Sequence, residues 1–355
     1  MIAGEKKRLH ERFWQGEGPC LVLLPPARIE LYDTSRYREL FYNPQRMWES
    51  EMQRARGVVE WPTDGIATVR PNLGTIFVPA TAGQDYVVRD GQMPWAGASL
   101  GEDALRKAAE NDLAACEVVR LATEFYRIHS ASHQTGIIAY QADTQGVFDV
   151  AHMLCGEQLL YDLADPHRAA WVDEAMGICL DLTVRAAWHL KRLLGEHDTE
   201  MVHGHGTPQG VYFPHAGIRL AEDSAILLSP ACIERFIVPA IERSAALFGG
   251  AFLHFCGLHK PLLERLCRMH LVRAIDLGNP ELYDTRWAME CCAAGGTVLV
   301  SRLAALDGED WRDYTRRLAS LVRQTGVRCI LRPTVFPTER QEAADMRNMW
   351  HDLTA

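Results

Sequence analysis

A chain of 355 residues, 48% hydrophobic and 23% charged with nine tryptophans, can build a large packed core and lacks the bias of a disordered or fibrous protein. Its formal net charge of -9 removes the general attraction to phosphate backbones and anionic lipid that basic proteins exploit, so neither nucleic acid nor a membrane is expected as a partner. Ten scattered cysteines, a charged Met1 to His10 without an apolar signal core, and no apolar run of about 18 residues lead to the expectation of a cytoplasmic protein with free thiols.

In chain order, the first third is irregular. A strand is expected at Cys20 to Leu24, Pro- and Gly-containing loops from Trp61 to Gly101, and a helix from Glu102 to Ile128. A strand at Ile137 to Gln141 opens a more regular region. Helices follow at Val147 to Leu154 and Arg168 to Leu194, the latter stopped by Gly195. Met201-Val202-His203 reads as a strand end. Ser229-Pro230 supply the N-cap and first turn of a helix whose apolar face carries Ile233, Phe236, Ile237, Ala240 and Ile241.

From there short β-branched or apolar runs alternate with segments of helical period. Strands are expected at Ala251 to Cys256, Val272 to Leu277, Thr297 to Ser301 and Cys329 to Leu331. Helices are expected at Lys260 to Met269, at Thr285 to Ala294, from Trp311 to a stop at Gly326 with Trp311, Tyr314, Leu318, Leu321 and Val322 on one face, and at Glu339 to Asp352. The whole pattern predicts roughly eight strand-helix units in one domain spanning 1–355. Without a Gly-rich phosphate fingerprint, a single (β/α)8 TIM barrel with extra N-terminal loops and helices is preferred to an open doubly wound sheet.

Such a fold places its working groups just past the C-terminal ends of strands. There the sequence puts His203 and His205, then His254 and Cys256, then Asp276 and Asn279, then Ser301 and Arg302, and finally Arg332. Buried strand ends do not gather such groups for packing alone, because desolvating them without partners is costly. His254 and Cys256 share one side of an extended strand, and imidazole with thiolate is a zinc-like ligand pair. An ordinary buried thiol beside a hydrogen-bonded histidine fits the same spacing. His203-Gly-His205 suits a metal, an anion or simply a tight loop. Asp223, Asp276 and His205 are the candidates for acid–base or charge-stabilising work. Arg70, Arg219, Arg302 and Arg332, with Asn279, are candidates for holding a substrate, although a lone arginine also serves as a salt-bridge partner.

Several ordered motifs carry a resemblance. These are Gly217 to Pro230 with Glu222-Asp223-Ser-Ala-Ile-Leu-Leu-Ser229-Pro230, then Phe236-Ile-Val-Pro239, His254-Phe-Cys-Gly257 and Ala274-Ile-Asp-Leu-Gly-Asn279. Together they resemble the uroporphyrinogen decarboxylase superfamily, which also holds zinc-dependent methylcobalamin:coenzyme M methyltransferases. The likeness covers roughly residues 130 to 350 and implies a barrel with a deep cleft at its C-terminal face. In the methyltransferase branch, zinc is held by a His-x-Cys pair and a later cysteine. His254 and Cys256 match the pair, whereas Ile330-Leu-Arg-Pro-Thr-Val335 puts Val335 where the later cysteine would stand, and Cys329 lies at the other end of that strand. His203 and His205 are the first candidates for a third ligand.

The decarboxylase branch carries an Arg-Gln-Ala-Gly-Arg-Tyr segment for its many-carboxylate substrate. Arg28, Arg36 and Arg38 occupy a comparable region in a different pattern. The resemblance therefore implies first a zinc-assisted, corrinoid-linked methyltransferase that activates a thiol or similar nucleophile. Methylcorrinoid would be its methyl donor, a small molecule its substrate, and a corrinoid protein and a homodimer its associations. The alternative is a metal-independent decarboxylase of a carboxylated tetrapyrrole or smaller aromatic acid, and a third reading is a barrel that binds a corrinoid or other ligand without turning it over.

Overall fold

The computed structural model describes residues 2–26 and 34–355. Arg28 lies outside them. Twelve strands follow in chain order: β1 Leu21–Val22, β2 Ile66–Val69, β3 Tyr86–Val87, β4 Trp95–Ala96, β5 Ile137–Ala139, β6 Met201–His203, β7 Gln209–Phe213, β8 Ile218–Ala221, β9 Ala251–Phe255, β10 Val272–Leu277, β11 Val298–Ser301 and β12 Cys329–Leu331. Six of them form a parallel sheet in the order β1-β12-β11-β10-β9-β8. A second sheet has the order β5-β2-β7-β6, with β2 and β5 parallel and β7 antiparallel to both neighbours.

Among the described residues, individual hydrogen bonds rather than ladders link the two sheets. On one side Asp64 N donates to Val22 O (3.1 Å) and Leu24 N to Thr63 Oγ1 (2.9 Å); on the other Gly146 N donates to Ala221 O (2.7 Å) and Thr144 Oγ1 to Arg219 O (2.9 Å). The result is a mixed α/β fold with a parallel sheet, and helices cover the strands after nearly every crossover.

The helices from Ser229 onward end where chemistry ends them. Ser229, Asp284 and Asp310 cap N-termini through their side chains, accepting from Cys232, Trp287 and both Arg312 and Asp313. The expected helix from Glu102 to Ile128 is instead two, Glu102–Ala108 and Glu117–Ala131. Between them Asn111 Nδ2 donates to Thr81 O (3.1 Å) and Asp112 caps Ala114 N (3.0 Å), so two short polar side chains draw the backbone away from the helix. The region after His203 also differs. Instead of a single strand end it holds the hairpin β6–β7, and the separate strand β8 supplies the parallel partner of β9.

The N-terminal ends of β1 and β2 are bound to the chain termini. Wholly buried Asp64 accepts from Val22 N (2.8 Å), Arg347 Nε (2.6 Å) and His351 Nε2 (2.8 Å), which anchors the helix Arg340–Thr354. Asp64 O accepts from His10 Nε2 (2.9 Å), and His10 Nδ1 accepts from Tyr212 N (3.0 Å). Both ring nitrogens are thus committed to a neutral tautomer, and burial lowers the imidazole to about 4. No helix of the described residues is long and apolar enough to cross a membrane.

Candidate metal-binding and catalytic site

Strand register assembles the site. Ala221 pairs with His254, His254 with Asp276, Asp276 with Val300 and Val300 with Ile330, so these five residues form one rung across β8 to β12. Side chains two residues further on face the same side. That next layer is Asp223, Cys256, Gly278, Arg302 and Arg332, at the C-terminal edge of the sheet. Gly278, the one member without a side chain, leaves room for a neighbour: a Cβ there would lie 2.5 Å from Cys256 Sγ.

Asp276, 2% exposed, is the hub. Its Oδ2 accepts from His254 Nδ1 at 3.0 Å and lies 3.1 Å from His205 Nε2 and 3.6 Å from Arg332 Nη1. Its Oδ1 is buried without a hydrogen-bond partner among the described residues. Because the carboxylate only accepts, His254 carries its proton on Nδ1 and presents the Nε2 lone pair to the site. That nitrogen stands 3.4 Å from Cys256 Sγ and 3.5 Å from Asp223 Oδ1. Asp223 Oδ1 also accepts from Cys256 N at 2.7 Å. The ligand atoms of Asp223, His254 and Cys256 all lie within 4.8 Å of one another, as do those of His205, His254 and Asp276.

The donor set fits zinc. Tetrahedral zinc with bonds of about 2.1 Å to nitrogen or oxygen and about 2.3 Å to sulfur has nitrogen–sulfur and nitrogen–oxygen edges of about 3.6 and 3.4 Å. The observed 3.4 and 3.5 Å are close to both. The carboxylate behind His254 is the usual support of a metal-binding imidazole. Cys256 by itself is a poor nucleophile: burial first, then the charges of Asp223 and Asp276, push its thiol up to about 12. A cation in the same place would reverse that shift.

The remaining sequence candidates divide into several environments. His205 sits at the hub with φ +43°, a conformation uncommon outside glycine, and its Nδ1 accepts from Arg219 Nη2 at 3.2 Å. His203 is apart from both ligand groups. Its Nδ1 accepts from His205 N at 3.0 Å, and its ring meets Tyr140 edge-on. Burial, followed by the charge of Arg219, holds both imidazoles well below their ordinary range, so both are neutral near pH 7.

Among the arginines, Arg70 is ion-paired with Asp143 and donates to Asn72 Oδ1 at 3.4 Å. Arg219 donates to Thr144 O at 3.0 Å as well as to His205, while its Nε is buried without a partner among the described residues. Arg302 is exposed and donates to Gly278 O at 3.1 Å. Asn279 accepts from Gly257 N at 2.9 Å and donates to the Glu281 carboxylate at 2.8 Å. Val335 packs against the core, Cys329 is buried in β12, and Arg36 pairs with Glu39.

Asp149 was not among the sequence candidates. It lies in the first turn of the helix Val147–Cys155, 3% exposed, and accepts from the backbone N–H groups of Asp223 (3.0 Å) and Ser224 (2.7 Å). A carboxylate inside the apolar run Val147-Phe-Asp-Val-Ala151 was the signal available for it, since buried acids are rare without partners.

Four exposed leucines follow the site strands: Leu227 after β8, Leu258 after β9, Leu282 after β10 and Leu306 after β11, at 60%, 50%, 49% and 60% exposure. They edge the face on which Asp223, Cys256 and Arg302 open to solvent.

Compared with known proteins, the chain matches no protein-family model and no curated protein sequence. Among solved structures it is similar to a methyltransferase from Methanosarcina mazei, with a TM-score of 0.68 and 14% sequence identity over 99% of this chain and 99% of that one. At that identity the likeness is one of fold.

Proposed function

We propose that this protein is a zinc-dependent methyltransferase that alkylates a small thiol or similar nucleophile, with methylcorrinoid as donor. One observation carries the reading: Asp223, His254 and Cys256 converge at the C-terminal edge of the parallel sheet at zinc-like separations. Asp223 takes the place of the third ligand expected from His203 or His205. The shared fold with the Methanosarcina mazei methyltransferase supports the reading, and so does reading β1, β2, β5 and β8 to β12 as the eight staves of a closed barrel.

Zinc bound there supplies positive charge that lets a substrate thiol ionise near neutral pH. The chain does the rest. Asp276 fixes the tautomer and orientation of His254, while Arg219 and the buried loop hold His205 against the same carboxylate. Arg332, whose guanidinium lies 3.6 Å from Asp276, and Arg302 at the rim can orient an anionic substituent. The exposed leucines offer an apolar rim to a corrinoid protein that presents the donor. Metal-free decarboxylation of a many-carboxylate substrate gains less support, because Arg36 and Arg70 are already paired with acidic residues.

The test is methyl transfer from methylcobalamin to 2-mercaptoethanol or a thiol bearing an anionic group. Thioether should accumulate with added zinc and stop with a chelator. Uroporphyrinogen turnover by metal-stripped protein, without thioether formation, would reverse the assignment.

A further inference from the structure

Asp223 is an unusual ligand to rely on, because it stands at the start of a short 3-10 turn, Asp223–Leu227, rather than within a strand. A loop carboxylate left to itself samples several positions, whereas zinc ligation demands placement within about 0.2 Å. Something must hold that turn, and the described structure contains a reciprocal clasp that does so.

Asp149 Oδ2 accepts from Asp223 N (3.0 Å) and Asp149 Oδ1 from Ser224 N (2.7 Å), so one buried carboxylate caps the first two N–H groups of the turn. In return, Glu222 Oε2 accepts from Asp149 N (3.2 Å), so the residue preceding the turn caps the helix Val147–Cys155. The fit leaves no slack. A Cβ at Gly146 would lie 2.2 Å from Glu222 Cδ, so only glycine lets that carboxyl reach beneath the helix. Asp149 and Glu222 are 3% and 1% exposed, Glu222 Oε1 has no hydrogen-bond partner among the described residues, and burying two carboxyl groups side by side is costly. A surface turn does not need so costly a support.

We infer that Asp149 is a positioning residue for the metal site: by gripping the backbone of Asp223 and Ser224, it sets the Asp223 carboxylate against Cys256 N and His254 Nε2. The inference rests on the metal-dependent reading above, and it assigns to this chain a support for the loop ligand separate from the Asp276 support behind His254.

The test uses the full chain loaded with cobalt(II) in place of zinc. Wild-type protein should show a sulfur-to-cobalt charge-transfer band and the strong visible absorption of a tetrahedral site. Asp149→Asn keeps the volume but presents an amide donor to one of the two N–H groups. It should bind cobalt and zinc about 10- to 100-fold more weakly, the usual cost of losing a support behind a ligand. Its visible cobalt bands should shift while the charge-transfer band from Cys256 persists. Asp149→Ser, which adds no bulk, should show the same pair of changes if Asp149→Asn folds poorly.

Wild-type affinity and an unshifted cobalt spectrum in a folded variant, whatever its melting temperature, would show that the clasp serves stability alone. Wild-type protein that takes up no cobalt would refute the metal reading and the inference together, so the two failures are distinguishable.

Discussion

Gly278→Ala probes the site with a single methyl group. The backbone at Gly278 does not require glycine, since its φ lies outside the left-handed region, so alanine introduces a steric change without backbone strain. The new Cβ would lie 2.5 Å from Cys256 Sγ and 3.1 Å from both Cys256 Cα and His254 Cε1. Ordinary contact is about 3.5 to 4.0 Å, so the sulfur must move by roughly 1 Å, several times the tolerance of a metal bond. Structural zinc binds with about 10–16 kcal/mol, or on the order of 3–4 kcal/mol per ligand, so displacing the sulfur should weaken zinc by two to three powers of ten. Overpacking costs the fold about 1–3 kcal/mol, which a domain of this size tolerates. Zinc competition against a calibrated chelator measures the first effect and a thermal melt the second. Undiminished zinc affinity in folded Gly278→Ala would refute the placement of Cys256 as a ligand.

Other perturbations separate the site from the scaffold. Asp276→Asn removes the charged acceptor behind His254, and zinc affinity should fall about 10- to 100-fold by the same competition assay; an unchanged value would dissociate His254 from the metal. At the other end of the sheet, His10 is held to about 4 by burial, below the 6.5 of an exposed imidazole. Its contribution to stability is therefore complete above pH 6.5 and lost progressively as the pH falls from 6.5 to 4, amounting to on the order of 2 kcal/mol between pH 7 and pH 5. His10→Gln can keep a donor toward Asp64 O and an acceptor for Tyr212 N without titrating. Its urea-unfolding free energy should fall less than that of wild type over that interval, and equal losses in the two proteins would contradict the assignment.

The C-terminal half was readable because each of its elements carries its own punctuation. The strands Val272 to Leu277 and Cys329 to Leu331 fall where they are expected, and the helices beginning at Thr285 and Trp311 start where sequence and structure agree, each behind an aspartate cap. The span after His203 was harder, because Gly204, Gly206 and Pro208 look like a plain loop, yet the Val211-Tyr-Phe213 run beyond them folds back as β7. Register explains the site's legibility. His254 and Asp276 lie on strands whose alternation shows from local spacing, with Cys256 just past the end of β9, whereas Asp223 becomes their neighbour only once β8 is paired with β9. Asp149 comes from a helix some seventy residues earlier, and no local pattern links it to that turn.

The proposed function stands or falls on whether Asp223, His254 and Cys256 hold a metal. Elemental analysis of wild-type protein and the Cys256→Ser and Asp223→Ala variants, prepared side by side with ample zinc and dialysed alike, tests it most directly. The expected result is about one zinc per wild-type chain and little in either variant, with all three folded. Wild-type protein free of zinc, or variants retaining as much as wild type, would contradict it.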